Sequence, residues 1–211
     1  WLGNVFEVSA VMNRQAAPDY RQWMSQFKGG SMYIFGSHLI DLVVSLLGKP
    51  DRVTPYLRRT HPQLDNLEDN GLAVLEYPDA VATVRAAVIE VDGFRRRQLV
   101  VCGDNGTIDI KPIEGRDVQK LDPPLPDVRP RLTLSEPCGP YHAGCQDVEV
   151  PAMTGRYVGQ LTELAQIIRG EIENPFPLEH ELLVQEVLLA ACGDEPHTFS
   201  HENRGGTQEQ P

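Results

Sequence analysis

No apolar stretch in these 211 residues approaches the roughly 20 needed to span a bilayer. The longest candidate, Leu39 to Leu47, is broken by Asp41 and reads as a buried helix. The start of the chain has neither the charged region nor the apolar region of a signal peptide. It begins at Trp1 and its first methionine is Met12, so a fragment or processed product is expected, with a further N-terminal part. Cysteines number only four, too sparse for a disulfide framework, which points to free thiols in a reducing, cytoplasmic compartment. Basic residues are also scarce: 19 Lys and Arg stand against 30 Asp and Glu, a formal net charge of -11. That disfavours nucleic acid and anionic membranes as partners, since both need clustered cations. The one dense run, Arg95-Arg96-Arg97, reads as a solvated strand or turn. There is no internal repeat.

What is present is an ordinary globular composition, 41% hydrophobic and 23% charged, long enough for one domain with a core. Residues 1–193 read as a single domain and 194–211 as a polar, flexible tail. Val5 to Val11 is rich in β formers and predicts a strand. Tyr20 to Phe27 reads as a loop or short helix. From Met32 to Leu47 the apolar residues fall at helical spacing, and Gly48 and Pro50 supply a stop. Asp51–Leu57, Asn70–Glu76, Ala80–Val91, Gln98–Cys102 and Thr107–Ile110 read as strands. The turns at Tyr77-Pro78-Asp79-Ala80 and Gly103-Asp104-Asn105-Gly106 join four of them into two hairpins.

Leu121 to Pro151 is proline-rich and predicts an irregular excursion with one strand at Asp147–Val150. Gly159–Arg169 and Glu179–Cys192 predict two final helices. Strand–turn–strand repetition argues for antiparallel pairing, so the expected fold is α+β: an open, mostly antiparallel sheet with helices packed on one face. In Ala80–Val91, Val84, Ala86 and Val88 alternate with Arg85, Ala87 and Ile89. The segment is apolar on both sides apart from Arg85, so a homodimer or tetramer through the open sheet face is expected.

The chemistry concentrates between Gly29 and Leu47. His38 and Asp41 stand three apart on a helix and share a face. His38 can serve as general acid or base, with Asp41 orienting its ring or capping a nearby backbone group. The competing reading is a buried histidine bonded to structure. Cys138, His142 and Cys145 are ligand types that zinc favours, but no second pair stands at finger spacing, so no metal site is expected.

Gly36, His38 and Asp41 form a Gly-x-His-x-x-Asp pattern that resembles the C-terminal, substrate-binding and oligomerisation domain of the Gfo/Idh/MocA oxidoreductases. Asp69-Asn70-Gly71-Leu72-Ala73, Leu99 to Thr107, Arg156-Tyr157 with Gln160 to Ala165, and His180 to Glu186 resemble further segments of that family in the same order. The resemblance implies a parent enzyme that binds NAD or NADP in an N-terminal Rossmann domain and acts on a sugar, polyol or related compound. It assigns His38 to the catalytic position, where in the family a lysine of the Rossmann half assists. Lys28, Tyr33, Asp41, Arg156 and Tyr157 lie in segments that line the substrate cleft in the family. Two departures stand out. No Gly-x-Gly-x-x-Gly and no Glu-Lys-Pro occurs, so this chain alone is expected to bind no cofactor and to be inactive. Ile34 occupies the position, four residues before the histidine, where many members carry Asp. The alternative reading is therefore an inactive association or ligand-binding module of the same fold.

Overall fold

The computed structural model describes residues 1–115, 121–150, 157–194 and 198–199. Eight strands form one sheet: β1 (Val5–Val11), β2 (Arg52–Arg58), β3 (Asn70–Glu76), β4 (Val81–Ala87), β5 (Gln98–Gly103), β6 (Gly106–Ile110), β7 (Arg131–Leu134) and β8 (Gly144–Asp147). Their order is β2-β3-β4-β1-β5-β6-β7-β8. Every neighbouring pair is antiparallel except β1 with β4, which runs parallel. The chain leaves β4 through a short 3₁₀ turn, Gly93–Arg96, and β1 fills the gap between β4 and β5. The two expected hairpins are β3–β4 and β5–β6.

Four α-helices accompany the sheet: α1 (Pro18–Met24), α2 (Ser37–Leu47), α3 (Val158–Ile168) and α4 (Leu178–Ala191). Pro18 at the first position of α1 has the fixed φ and the missing N–H that a helix start tolerates. A five-residue π-helical turn, Met32–Gly36, leads into α2.

The strands alternate as the pleat requires. Val8, Ala10, Val53, Ala73, Leu75, Ala82, Val84, Ala86, Leu99 and Val101 are all buried. They pack with Leu39, Ile40, Val43 and Val44 of α2 and with Val187, Leu188, Ala190 and Ala191 of α4 in one core. Burying each of the Val, Leu and Ile side chains contributes about 1.5–3 kcal/mol. The opposite face carries a cross-strand row, Thr54–Val74–Thr83–Ser9–Val100–Asp109. No described helix covers that row. α3 differs from the other helices: none of its residues is buried, and Leu161, Leu164 and Ile168 are at least half exposed.

Four expectations need correction. The C-terminal part of Ala80–Val91 is not strand, because β4 ends at Ala87. The proline-rich stretch contains β7, which its composition hid, and β8 lies at Gly144–Asp147 rather than at Asp147–Val150. The predicted helix from Met32 divides at Gly36 into a π turn and α2. In Arg95–Arg97 the first two lie in a turn and Arg96 is exposed, as expected, but Arg97 is buried, 4% exposed, and pairs with Glu114, while Arg95 meets Asp92 and Arg96 meets Glu90.

Candidate functional site

The approach to α2 is built from backbone that only glycine can supply. Gly29 and Gly30 have φ of 81° and 45°, in the left-handed region. A Cβ at Gly29 would sit 2.6 Å from Cβ of Cys192, and one at Gly30 would sit 2.6 Å from the Glu68 carbonyl oxygen. The loop is also tied by hydrogen bonds. Gly29 N–H donates to Glu68 Oε2 at 2.8 Å, Ser31 N–H to the Glu68 carbonyl at 2.9 Å, and Ser31 Oγ to the Ala86 carbonyl at 2.9 Å. The glycine loop is thus held between β4, the end of α4 and the segment before β3.

That last segment is anchored by a buried ion network. Arg21 makes a bidentate pair with Asp65, at 2.8 and 3.0 Å, and reaches Asp69 at 3.0 Å. Asp69 is fully buried and also accepts from Thr60 N–H at 2.9 Å and Thr60 Oγ1 at 2.8 Å. Burial alone would raise the pKa of Asp69, but hydrogen bonds from Thr60 and Arg21 outweigh it and hold the carboxyl below the usual carboxylate range.

An aromatic belt runs outside this frame. Tyr20 stacks on Trp23 at 5.5 Å, Trp23 meets Phe27 edge-on at 5.0 Å, and Phe27 stacks on Tyr33 at 5.4 Å. Tyr20 also contacts Phe35 of the π turn edge-on, at 6.3 Å.

The predicted site residues fall as follows. His38 is exposed in the first turn of α2, and no hydrogen bond to its ring is found among the described residues. Tyr33 and Asp41 lie on the turns before and after it, both half-buried. Asp41 does not meet His38. Its Oδ1 accepts from Nε2 of His180 on α4 at 2.9 Å. A carboxylate has no proton to give, so Nε2 must be the donor. Lys28 is exposed and tied to Asp194 and to the Gly193 carbonyl, which joins the glycine loop to the end of α4. Tyr157 is exposed at the start of α3. Arg156 lies outside the described residues. Ile34, one turn before His38, is half-buried.

Residue patterns gave no sign of His180 as the partner of Asp41, nor of the aromatic belt. His180 stands one turn into α4 behind Pro177, in a segment singled out only for its likeness to a family helix. Phe176 approaches the His180 ring at 5.8 Å and borders an open hollow of about 510 Å³ between α3 and α4, lined also by Gln160, Leu164 and Glu181.

Gly103 to Gly106 is the β5–β6 hairpin turn, and its Asp104 accepts from Asn4 N–H at 2.9 Å and Asn4 Nδ2 at 2.8 Å. No helix follows that turn to present its amino end to a pyrophosphate. Nor do the described residues include a group of three or more His, Cys, Asp or Glu able to hold a metal ion. Cys145 Sγ instead accepts from Arg131 Nε at 3.0 Å. No helix among the described residues is long and apolar enough to cross a membrane.

No curated protein matches this chain. Solved structures do. An aldose-aldose oxidoreductase from Caulobacter crescentus, complexed with glycerol, is 20% identical with a TM-score of 0.69, covering 91% of this chain and 54% of its own. A Desulfitobacterium hafniense protein described as an NADPH-dependent oxidoreductase is 20% identical with a TM-score of 0.67, covering 91% and 55%. A Klebsiella pneumoniae protein described as an oxidoreductase is 23% identical with a TM-score of 0.64, covering 90% and 53%. At these identities the likeness is one of fold, and the chain spans little more than half the length of each. Residues 1–109 match the model of the GFO/IDH/MocA C-terminal domain. With half the sequence inside that match, the chain belongs to the GFO/IDH/MocA family as its C-terminal domain.

Proposed function

We propose that this chain is the substrate-binding half of an NAD(P)-dependent oxidoreductase acting on a sugar, polyol or related compound. The observation that carries the reading is His38. Its imidazole is solvent-facing and without a hydrogen bond among the described residues, yet it stands on a helix whose entrance is locked on three sides. A group that exchanges protons with substrate must be both accessible and rigidly placed. In this reading His38 takes the proton of the reacting hydroxyl. Tyr33, Tyr157 and Arg156 offer donors to other substrate oxygens. Asp41 keeps Oδ2 for a substrate hydroxyl while Oδ1 is engaged by His180. Lys28 holds the glycine loop to the end of α4.

In this reading the cofactor is held by a further part of the parent protein. Two facts support a further part. The match covers little more than half of each related structure, and α3 with the start of α4 presents Leu161, Leu164, Ile168, Leu178 and Leu182, each at least half exposed. The uncovered row from Thr54 to Asp109 on the sheet is the surface proposed to pair with a second copy, as a homodimer or tetramer.

Intrinsic tryptophan fluorescence during titration with NADH and NADPH tests the division of labour. The expected result is saturable binding by the protein extended upstream to its natural start and none by this chain. Binding by neither removes the dehydrogenase reading and leaves the association module.

A further inference from the structure

Among the arginines around the π turn, one lacks a counterion. Arg95, Arg96 and Arg97 pair with Asp92, Glu90 and Glu114. Arg14, which follows β1, has no carboxylate partner among the described residues, in a chain with a net charge of -11. Its guanidinium lies 5.0 Å from the ring centre of Tyr20, 5.3 Å from that of Phe94 and 5.9 Å from that of Phe35. Rings engage the flat faces of a guanidinium and leave its edge donors outward. Among the described residues its side chain makes one long hydrogen bond, 3.4 Å from Nε to the Gln15 carbonyl, which leaves both Nη groups available. The backbone beneath is fixed, since Arg14 N–H donates to the Ala87 carbonyl at 2.9 Å and its carbonyl accepts from Glu90 N–H at 3.2 Å. Phe35, one of the three rings, stands three residues before His38.

We infer that Arg14 holds the carboxylate of a sugar acid whose carbinol faces His38, a specificity that rests on the proposed function. The planar fork of Nη donors matches the two oxygens of a carboxylate. A single uncompensated charge balances a monoanion, whereas a phosphate dianion would need a second free cation, and the neighbouring arginines are already paired.

Calorimetric titration of the full-length parent protein with D-glucuronate, D-glucose and D-glucose 6-phosphate tests the assignment. Glucuronate is expected to bind at least about tenfold more tightly than glucose at low salt, as a charge-assisted hydrogen bond allows. Arg14→Gln should abolish that preference and Arg14→Lys should retain a few-fold remnant, which also shows that the loss is not unfolding. Arg95→Gln, whose charge is already paired, should bind as the parent does. Equal affinity for glucose and glucuronate, an unchanged Arg14→Gln variant, or tighter binding of the phosphate would each overturn the inference. If neutral sugars bind and His38→Ala weakens them, the proposed function survives without the carboxylate preference; if no sugar binds, both fall.

Discussion

Asp41 and His180 lie 139 residues apart in sequence and meet at 2.9 Å, joining α2 to α4 beside the exposed His38. The pair is partly open to water, with side-chain exposures of 47% and 17%, so its worth is that of a surface interaction. In a double-mutant cycle of Asp41→Ala and His180→Ala followed by urea unfolding, a coupling of about 0.5 kcal/mol is expected. A coupling of zero would mean that the two residues hold nothing in common.

Gly30→Ala should be far more damaging than its size implies. The left-handed backbone costs an alanine about 1–2 kcal/mol, and the collision with the Glu68 carbonyl adds to it. A loss of at least about 2 kcal/mol in chemical denaturation is expected. Alanine at Gly159, where the added Cβ meets nothing within 4 Å and φ lies outside the left-handed range, should be tolerated.

Asp69 couples stability to acid. Its folded pKa lies below the unfolded value, so its contribution is complete above about pH 4 and disappears as pH falls through the folded value. Asp69→Asn leaves Arg21 short of a partner in a buried network and should cost about 3–5 kcal/mol at neutral pH. Thermal melts from pH 7 to pH 2 should show the gap between parent and variant narrowing only below about pH 4. A constant gap would contradict the network.

The thiols should separate by reactivity. Cys145 is exposed, and hydrogen bonds from Arg131 and Thr133 lower its pKa, so more of it is thiolate at a given pH. Burial pushes the Cys192 thiol up to about 12. Iodoacetamide at pH 7.5 should label Cys145 first and leave Cys192 unmodified in the folded protein, as read by peptide mass. Early labelling of Cys192 would mean that the end of α4 is not packed against Gly29.

Local patterning made much of this fold legible. Val5–Val11 and Asn70–Glu76 coincide with β1 and β3, because a run of β formers bounded by turn residues carries its own signal. Pairing was less legible. Nothing in Val5–Val11 says that it inserts between β4 and β5 and runs parallel to β4. β7 was hidden because Arg131–Leu134 is four residues amid prolines, too short to show a period. The π turn was missed because Met32–Gly36 has the apolar content of an α-helix, and the difference lies only in which carbonyl each N–H reaches. The glycine-rich approach to the helix that carries His38 was legible, whereas the Asp41–His180 contact and the rings around Arg14 exist only after folding.

The central claim is that His38 exchanges the proton of an oxidised hydroxyl. The direct measurement is the rate of NAD(P)H formation by the full-length parent with a panel of sugars, sugar acids and polyols, compared with the same protein carrying His38→Asn. The account predicts measurable turnover and a fall in kcat/KM of roughly a hundredfold to ten-thousandfold in the variant, with cofactor affinity unchanged. Turnover that is indifferent to His38→Asn, or none with any member of the panel, would contradict it.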